Sequence, residues 1–119
     1  MDVYGIALSG MNAAQTLLNV TANNIANAQT PGYQSQGVDL VTLSGGGVQV
    51  AGTPSSNAPF QPGNDGGEGS NVDLATQAIN LTQANFLYDA NAAVVNAQSQ
   101  MIGSLLDIFD NQSTDQNQN

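Results

Sequence analysis

Residues 22–33 read Ala-Asn-Asn-Ile-Ala-Asn-Ala-Gln-Thr-Pro-Gly-Tyr, and the way this stretch closes decides how the chain on either side of it folds. A helical spacing runs into it from Val3: Ala7, Met11, Ala14, Leu18 and Ile25 recur at steps of three, four or seven, with Leu8, Leu17 and Ala22 widening the stripe. It ends at Thr30-Pro31-Gly32-Tyr33, where proline fixes φ and glycine accepts a positive φ, as a type II turn needs. The spacing therefore predicts a helix over 3–28 followed by a reversal. Much of the stripe is alanine, so a partner helix approaches closely. Asn23, Asn24 and Asn27 work against the helix, because their amides compete with the backbone for hydrogen bonds. Something other than propensity favours them.

Outward from the turn, residues 37–51 carry β-branched and apolar residues in alternation. Val38, Leu40 and Thr42 lie on one side, and Val48 and Val50 follow Gly45-Gly46-Gly47, a pattern that predicts a short hairpin. Two strands alone are marginal, so the hairpin needs a helix or a neighbouring subunit to pack on. Residues 52–69 are Gly, Pro, Ser and Asn with little to bury, an exposed loop by composition. Ser70-Asn71-Val72-Asp73 then opens a second helix, with Ser70 or Asn71 as N-cap and Asp73 in the first turn.

This second helix has the clearest periodicity in the chain. Leu74, Ala78, Leu81, Asn85, Tyr88, Ala92, Val95, Ser99, Ile102, Leu106 and Phe109 follow alternating steps of four and three, a heptad seam. A neighbouring line of Ala84, Leu87, Val94, Met101, Leu105 and Ile108 widens it. At 1.5 Å per residue the helix is on the order of 50 Å long, more than the first helix covers. Residues 110–119 carry only polar side chains and read as a disordered tail.

Composition removes whole classes of function. The 119 residues include no Lys, Arg, His, Cys or Trp, and nine carboxylates give a formal net charge of −9. No side-chain salt bridge forms within or between copies. Nucleic-acid binding needs cationic side chains to neutralise phosphate, and so does an anionic membrane surface; neither is expected. Without His or Cys most catalytic dyads and zinc sites are unavailable, so an enzyme is not expected. No stretch is long and apolar enough to cross a bilayer, and the opening Met1-Asp2-Val3 lacks the pattern of a cleavable signal peptide.

The string from Ala22 to the Gly32-Tyr33 turn, with Ser9-Gly10-Met11, Ala13-Ala14 and Leu17 upstream, closely resembles the N-terminal signature of the bacterial flagellar axial proteins, the rod and hook subunits. Ser70-Asn71-Val72-Asp73-Leu74-Ala75, Tyr88, Ala90-Asn91-Ala92, Met101 and Leu105-Leu106 resemble the C-terminal segment of the same family. The two resemblances cover roughly 5–33 and 70–108. The short insert between them is about the size of that of a proximal rod protein. The chain departs from the family where charges are usual, at Gln34, Thr76-Gln77, Asn85, Ala93 and Ser99-Gln100, and in its polar tail.

The resemblance implies a mainly α subunit, with two long antiparallel helices pairing like a coiled coil and a small β-hairpin and loop inserted between them. Its segments are a helix and turn at 1–33, an outward-facing hairpin and loop at 34–69, a helix at 70–109 and the tail at 110–119. It implies a structural subunit that self-assembles into a helical tube or filament, in the basal body or outside the cell, exported without cleavage by the flagellar type III apparatus. Partners would be further copies and other axial proteins. Asn23, Asn24 and Asn27 would hydrogen-bond neighbouring subunits or the turn, and Leu74, Leu81, Tyr88, Val95, Ile102 and Leu106 would form the subunit interface. Loss of charge and the polar tail favour a free extracellular filament within the same class.

A reading of another class is a calcium-responsive adhesion module. Asp65, Glu68 and Asp73 sit in a Gly-rich region and are candidate calcium ligands, although their spacing is not that of an EF-hand and a solvated loop is the preferred reading. Sequons at Asn19, Asn80 and Asn111 are chance matches in an Asn-rich chain.

Overall fold

Asp2 starts the first helix by accepting the Gly5 backbone N–H on its carboxylate at 3.1 Å, which satisfies one of the donors a helix start leaves free. In the computed structural model α1 then spans Val3–Ala26, β1 Asp39–Thr42, β2 Val48–Gly52 and α2 Leu74–Gln116. The structure describes residues 2–63 and 66–116, with side chains through 112.

Asn27 closes α1. Its amide nitrogen donates to the Asn23 carbonyl at 2.9 Å, and its side-chain oxygen accepts from the Thr30 hydroxyl at 3.2 Å. The reversal then follows as expected: Gly32 has φ of 73° and the Tyr33 N–H reaches the Thr30 carbonyl at 3.1 Å, as in a type II turn.

β1 and β2 pair antiparallel, with Leu40 opposite Val50 and Thr42 opposite Val48, and an irregularity next to Asp39. β2 rests on α1 with Val48 and Val50 half-buried, while all of β1 is exposed. Ser9 joins the hairpin to the helix: its hydroxyl donates to the Ile6 carbonyl at 2.7 Å and accepts the Val48 N–H at 3.1 Å. Between the three elements lies an apolar crevice of about 280 Å³, bounded by Ile6, Ala13, Leu17, Leu40, Val48 and Leu87.

The loop after β2 is less free than its composition suggests. Gly37 donates to Pro54, Ser56 to Ser35, Gln61 to Ser70 and Gly69 to Gln61, all backbone bonds of 2.7–2.9 Å. These bonds carry the hairpin's pairing towards the base of both helices.

α2 runs antiparallel to α1. Asn24 meets Gln77 at one end, and Gly10 lies against Asn91 further along. A Cβ at Gly10 would stand 2.6 Å from the Asn91 side-chain oxygen, so glycine is what lets the helices approach there. The line of α2 that faces α1 is not the heptad seam led by Leu74 and Leu81. It is Gln77, Ala84, Leu87 and Asn91, and Ala84 is fully buried. Leu74 and Leu81 on the expected seam are exposed, and Tyr88, Ala92 and Val95 only half-buried. The reason lies in α1, whose facing stripe of Ala7, Gly10, Ala14, Leu17, Thr21 and Asn24 is small and polar, so α2 answers with small and polar residues.

The helices also end differently from expectation. α2 continues to Gln116, through most of the tail read as disordered, and 117–119 lie outside the described residues. Composition argues for disorder when a segment must nucleate structure by burying apolar surface. Extending an existing helix needs no nucleation, and no Gly or Pro follows Gly103 to stop it. The subunit is accordingly a rod, 87 × 27 × 15 Å in extent.

Candidate functional site

Two features stand out against this frame: a buried polar hub where the helices, turn and loop converge, and an exposed apolar length of α2 beyond the end of α1.

Asn24 is the centre of the hub and only 1% exposed. Its amide nitrogen donates to the Gln36 carbonyl at 2.7 Å and to the Gln77 side-chain oxygen at 3.0 Å. Its oxygen accepts the Gln36 N–H at 2.8 Å and the Tyr33 hydroxyl at 3.1 Å. All four positions that an amide offers are thus filled within one chain. Of the two roles expected for Asn24, a bond to a neighbouring subunit or to the turn, these bonds are of the second kind, to Tyr33 in the turn and Gln36 just after it. Asn23 is exposed and bonds back to the Asn19 carbonyl at 2.9 Å, and Asn27 closes α1 as described.

Ser70 and Asn71 complete the hub and do not cap α2. The Ser70 hydroxyl donates to the Ala28 carbonyl, while Asn71 accepts the Ser35 N–H at 2.6 Å and donates to the Ser56 and Ala58 carbonyls at 3.1 and 3.0 Å. The cap falls to Asp73, which precedes Leu74 and accepts the Ala75 N–H at 3.0 Å and the Thr76 hydroxyl at 2.8 Å. The Thr76 hydroxyl first, and the Ala75 amide second, hold its carboxyl below the usual carboxylate range.

The hub matters because the apolar core is thin. Its buried members are Ala7, Ala13, Ala14, Val20, Val72 and Ala84, while Thr21, Asn24, Ser70, Asn71 and Gln77 are buried beside them. Side chains this small remove little apolar area from water, so directional bonds carry an unusual share of the fold. Gln77 was legible only as a missing charge, and no spacing in the sequence marks Gln36 or Gln77 as partners of Asn24.

Of the candidate calcium ligands, Asp65 lies outside the described residues, and Glu68 and Asp73 are exposed. The Asp73 carboxylate is engaged in capping. Among the described residues no group of three or more carboxylates is placed to hold a metal ion.

Antiparallel register sets the second feature. Each step down α1 is matched by a step up α2, which brings Val3 beside Gln98, the last half-buried residue of α2. Residues 99–116, about 27 Å of helix, project past α1. Their apolar side chains are open to solvent: Leu106 is 63% and Phe109 68% exposed, with Met101, Ile102, Leu105 and Ile108 at half or more. Monomers rarely leave so continuous an apolar face uncovered. Ile102 and Leu106 thus stand on accessible surface, as do Leu74 and Leu81.

Both helical segments of the chain match known protein families. Residues 6–34 match the family described as flagella basal body rod protein, and residues 67–108 match the C-terminal family of the flagellar basal body rod FlgEFG proteins. Over 123 aligned positions the chain is 31% identical to the flagellar basal-body rod protein FlgC of Yersinia enterocolitica, an alignment covering 86% of this chain and 92% of that protein. The chain belongs to the flagellar basal-body rod protein family. This rod-family chain is also 34% identical over 96 positions to FlgG of Agrobacterium fabrum, covering 76% of the chain and 35% of that protein. With the flagellar hook protein FlgE of Salmonella typhimurium it shares 36% identity over 98 positions, covering 76% of the chain and 22% of that protein. The matched segments of the rod-family chain are α1 with its turn and α2 with its preceding hub residues, so the family signature coincides with the polar hub. The family is structural, and among the described residues no helix is long and apolar enough to cross a membrane.

Proposed function

We propose that this chain is a non-enzymatic subunit of the flagellar axis that polymerises with copies of itself, and with other axial subunits, into a helical tube of rod type. The observation that carries the reading is the projecting end of α2, an amphipathic helix with a continuous apolar face that nothing among the described residues covers. The names of its relatives, basal-body rod proteins and a hook protein, support the same reading. The length matched to FlgC favours a rod subunit over a hook subunit, since the hook protein is covered over only 22% of its length.

Electron microscopy of the purified protein in negative stain tests it, beside the Leu106→Asp variant. The native chain is expected to form long particles. The variant, with a carboxylate placed in the apolar face and no cation in the chain to pair with it, is expected to remain small. Native protein that stays a small particle at every salt concentration and pH tried refutes the reading.

A further inference from the structure

Oxidation chemistry in this chain is confined to very few atoms. The 119 residues include three methionines and no cysteine, tryptophan or histidine, so a peroxide, which takes sulfur first, has only thioethers to attack. Met1 lies outside the described residues, and the other two sit in unlike places. Met11 is half-buried on α1, whereas Met101 is 61% exposed on the projecting end of α2.

Met101 is also the midpoint of an apolar line. Val94, Met101 and Ile108 recur every seven residues, about two helical turns, and are 41%, 61% and 56% exposed, with Leu105 one turn further on also open to solvent. The thioether is therefore accessible in the free subunit and belongs to the face that the polymer reading requires to be covered.

We propose that Met101 is an oxidation site that sets whether a subunit assembles: a peroxide converts its thioether to the sulfoxide, and subunits so modified do not join the polymer. The sulfur lone pair attacks one peroxide oxygen, the O–O bond breaks as the S–O bond forms, and the other oxygen departs as water with both protons. Sulfur is oxidised by two electrons and the peroxide is reduced by two. The site itself rests on exposure alone; its effect on assembly rests on the polymer reading above.

The sulfoxide is neutral but polar. Its oxygen is a hydrogen-bond acceptor, yet Val94, Ala97, Leu105 and Ile108, one and two turns away on the same side, carry no side-chain donor, and no Lys, Arg or His in any copy supplies a charged one. The nearby Ser104 hydroxyl donates instead to the Gln100 carbonyl at 3.1 Å. Burying such a group in an apolar contact without a partner is unfavourable enough to raise the concentration needed for assembly by about tenfold or more.

The test treats the full-length, unassembled subunit with dilute hydrogen peroxide, follows each sulfoxide by peptide mass, and then moves the protein to assembly conditions for sedimentation and negative-stain microscopy. Met101→Leu, which keeps the apolar bulk and has no sulfur there, is carried alongside. Met101 is expected to oxidise several-fold faster than Met11, oxidised native protein to stay in the supernatant where untreated protein pellets, and peroxide-treated Met101→Leu to pellet as before. Repair by methionine sulfoxide reductases should restore the native protein, and this comparison decides the matter if Met101→Leu itself does not assemble. Met11 reacting as fast as Met101, polymers that take up Met101 sulfoxide in the proportion supplied, or a Met101→Leu variant as sensitive to peroxide as the native chain would each overturn the proposal while leaving the polymer reading intact. Untreated native protein that never assembles overturns the polymer reading and the effect on assembly together, and the peptide masses still decide whether Met101 is the preferred site.

Discussion

Replacing Asn24 by Ala removes four hydrogen bonds at once, and the structure indicates how much each is worth. Two involve the backbone of Gln36, an exposed residue whose N–H and C=O regain water. One involves the hydroxyl of Tyr33, which is half-buried, and one the side chain of Gln77, which is 95% hidden and would be left with an unsatisfied oxygen. At about 0.5 kcal/mol for each of the first two, ~1 for the third and ~1.5 for the last, the loss is about 3.5 kcal/mol. Alanine returns about 0.5 kcal/mol of helix propensity. The net destabilisation is about 3 kcal/mol, a large fraction of the ~5–15 kcal/mol that holds a domain of this kind. Asn23→Ala is the control: that side chain is exposed and bonds only to a helix carbonyl one turn back, so its replacement is neutral or stabilising by a few tenths of a kcal/mol. Urea denaturation of the unassembled subunit, followed by circular dichroism, measures both. If the two variants differ by less than about 1 kcal/mol, Asn24 is not the centre of the fold and the reasoning fails.

The Thr21 hydroxyl is buried without a hydrogen-bond partner among the described residues. Thr21→Val, which keeps the shape, should therefore raise stability by about 1 kcal/mol in the same assay, and a loss would reveal a partner for that hydroxyl. Asp73→Ala should destabilise the subunit and lower the helix content near the start of α2. Because the folded carboxyl sits below its unfolded value, the contribution of Asp73 is present above the unfolded pKa and lost as pH falls through the folded one. The gap between native protein and Asp73→Asn should accordingly narrow below about pH 4; a gap that widens there contradicts the cap. Assembly should strengthen with added salt and towards acid pH, since every copy adds nine carboxylates and no cation. Filaments that dissolve on adding salt at neutral pH, measured by sedimentation, would show that repulsion between copies is not what limits them.

Much of the architecture was legible along the chain because it depends on local chemistry. The helical spacing from Val3, the φ demand at Gly32 and the alternation around the Gly45-Gly46-Gly47 turn each act within a few residues, and α1, the turn and the hairpin lie where they point. The total absence of cationic side chains, visible in composition alone, already excluded side-chain ion pairs within the chain and between its copies. Tertiary structure decided the rest. Apolar periodicity selects the line of largest side chains on α2, but the line that packs is set by what α1 presents, and α1 presents Ala, Gly, Thr and Asn. That choice turns Leu74 and Leu81 outward and brings Gln77 inward, while Ile102 and Leu106 are exposed because α1 ends before it reaches them. Asn24 likewise has the composition of a surface residue, and its role exists only because Gln36 and Gln77, 12 and 53 positions away, come within reach of one amide. An amide's partners are fixed by distance in space, which a spacing rule along one helix does not encode.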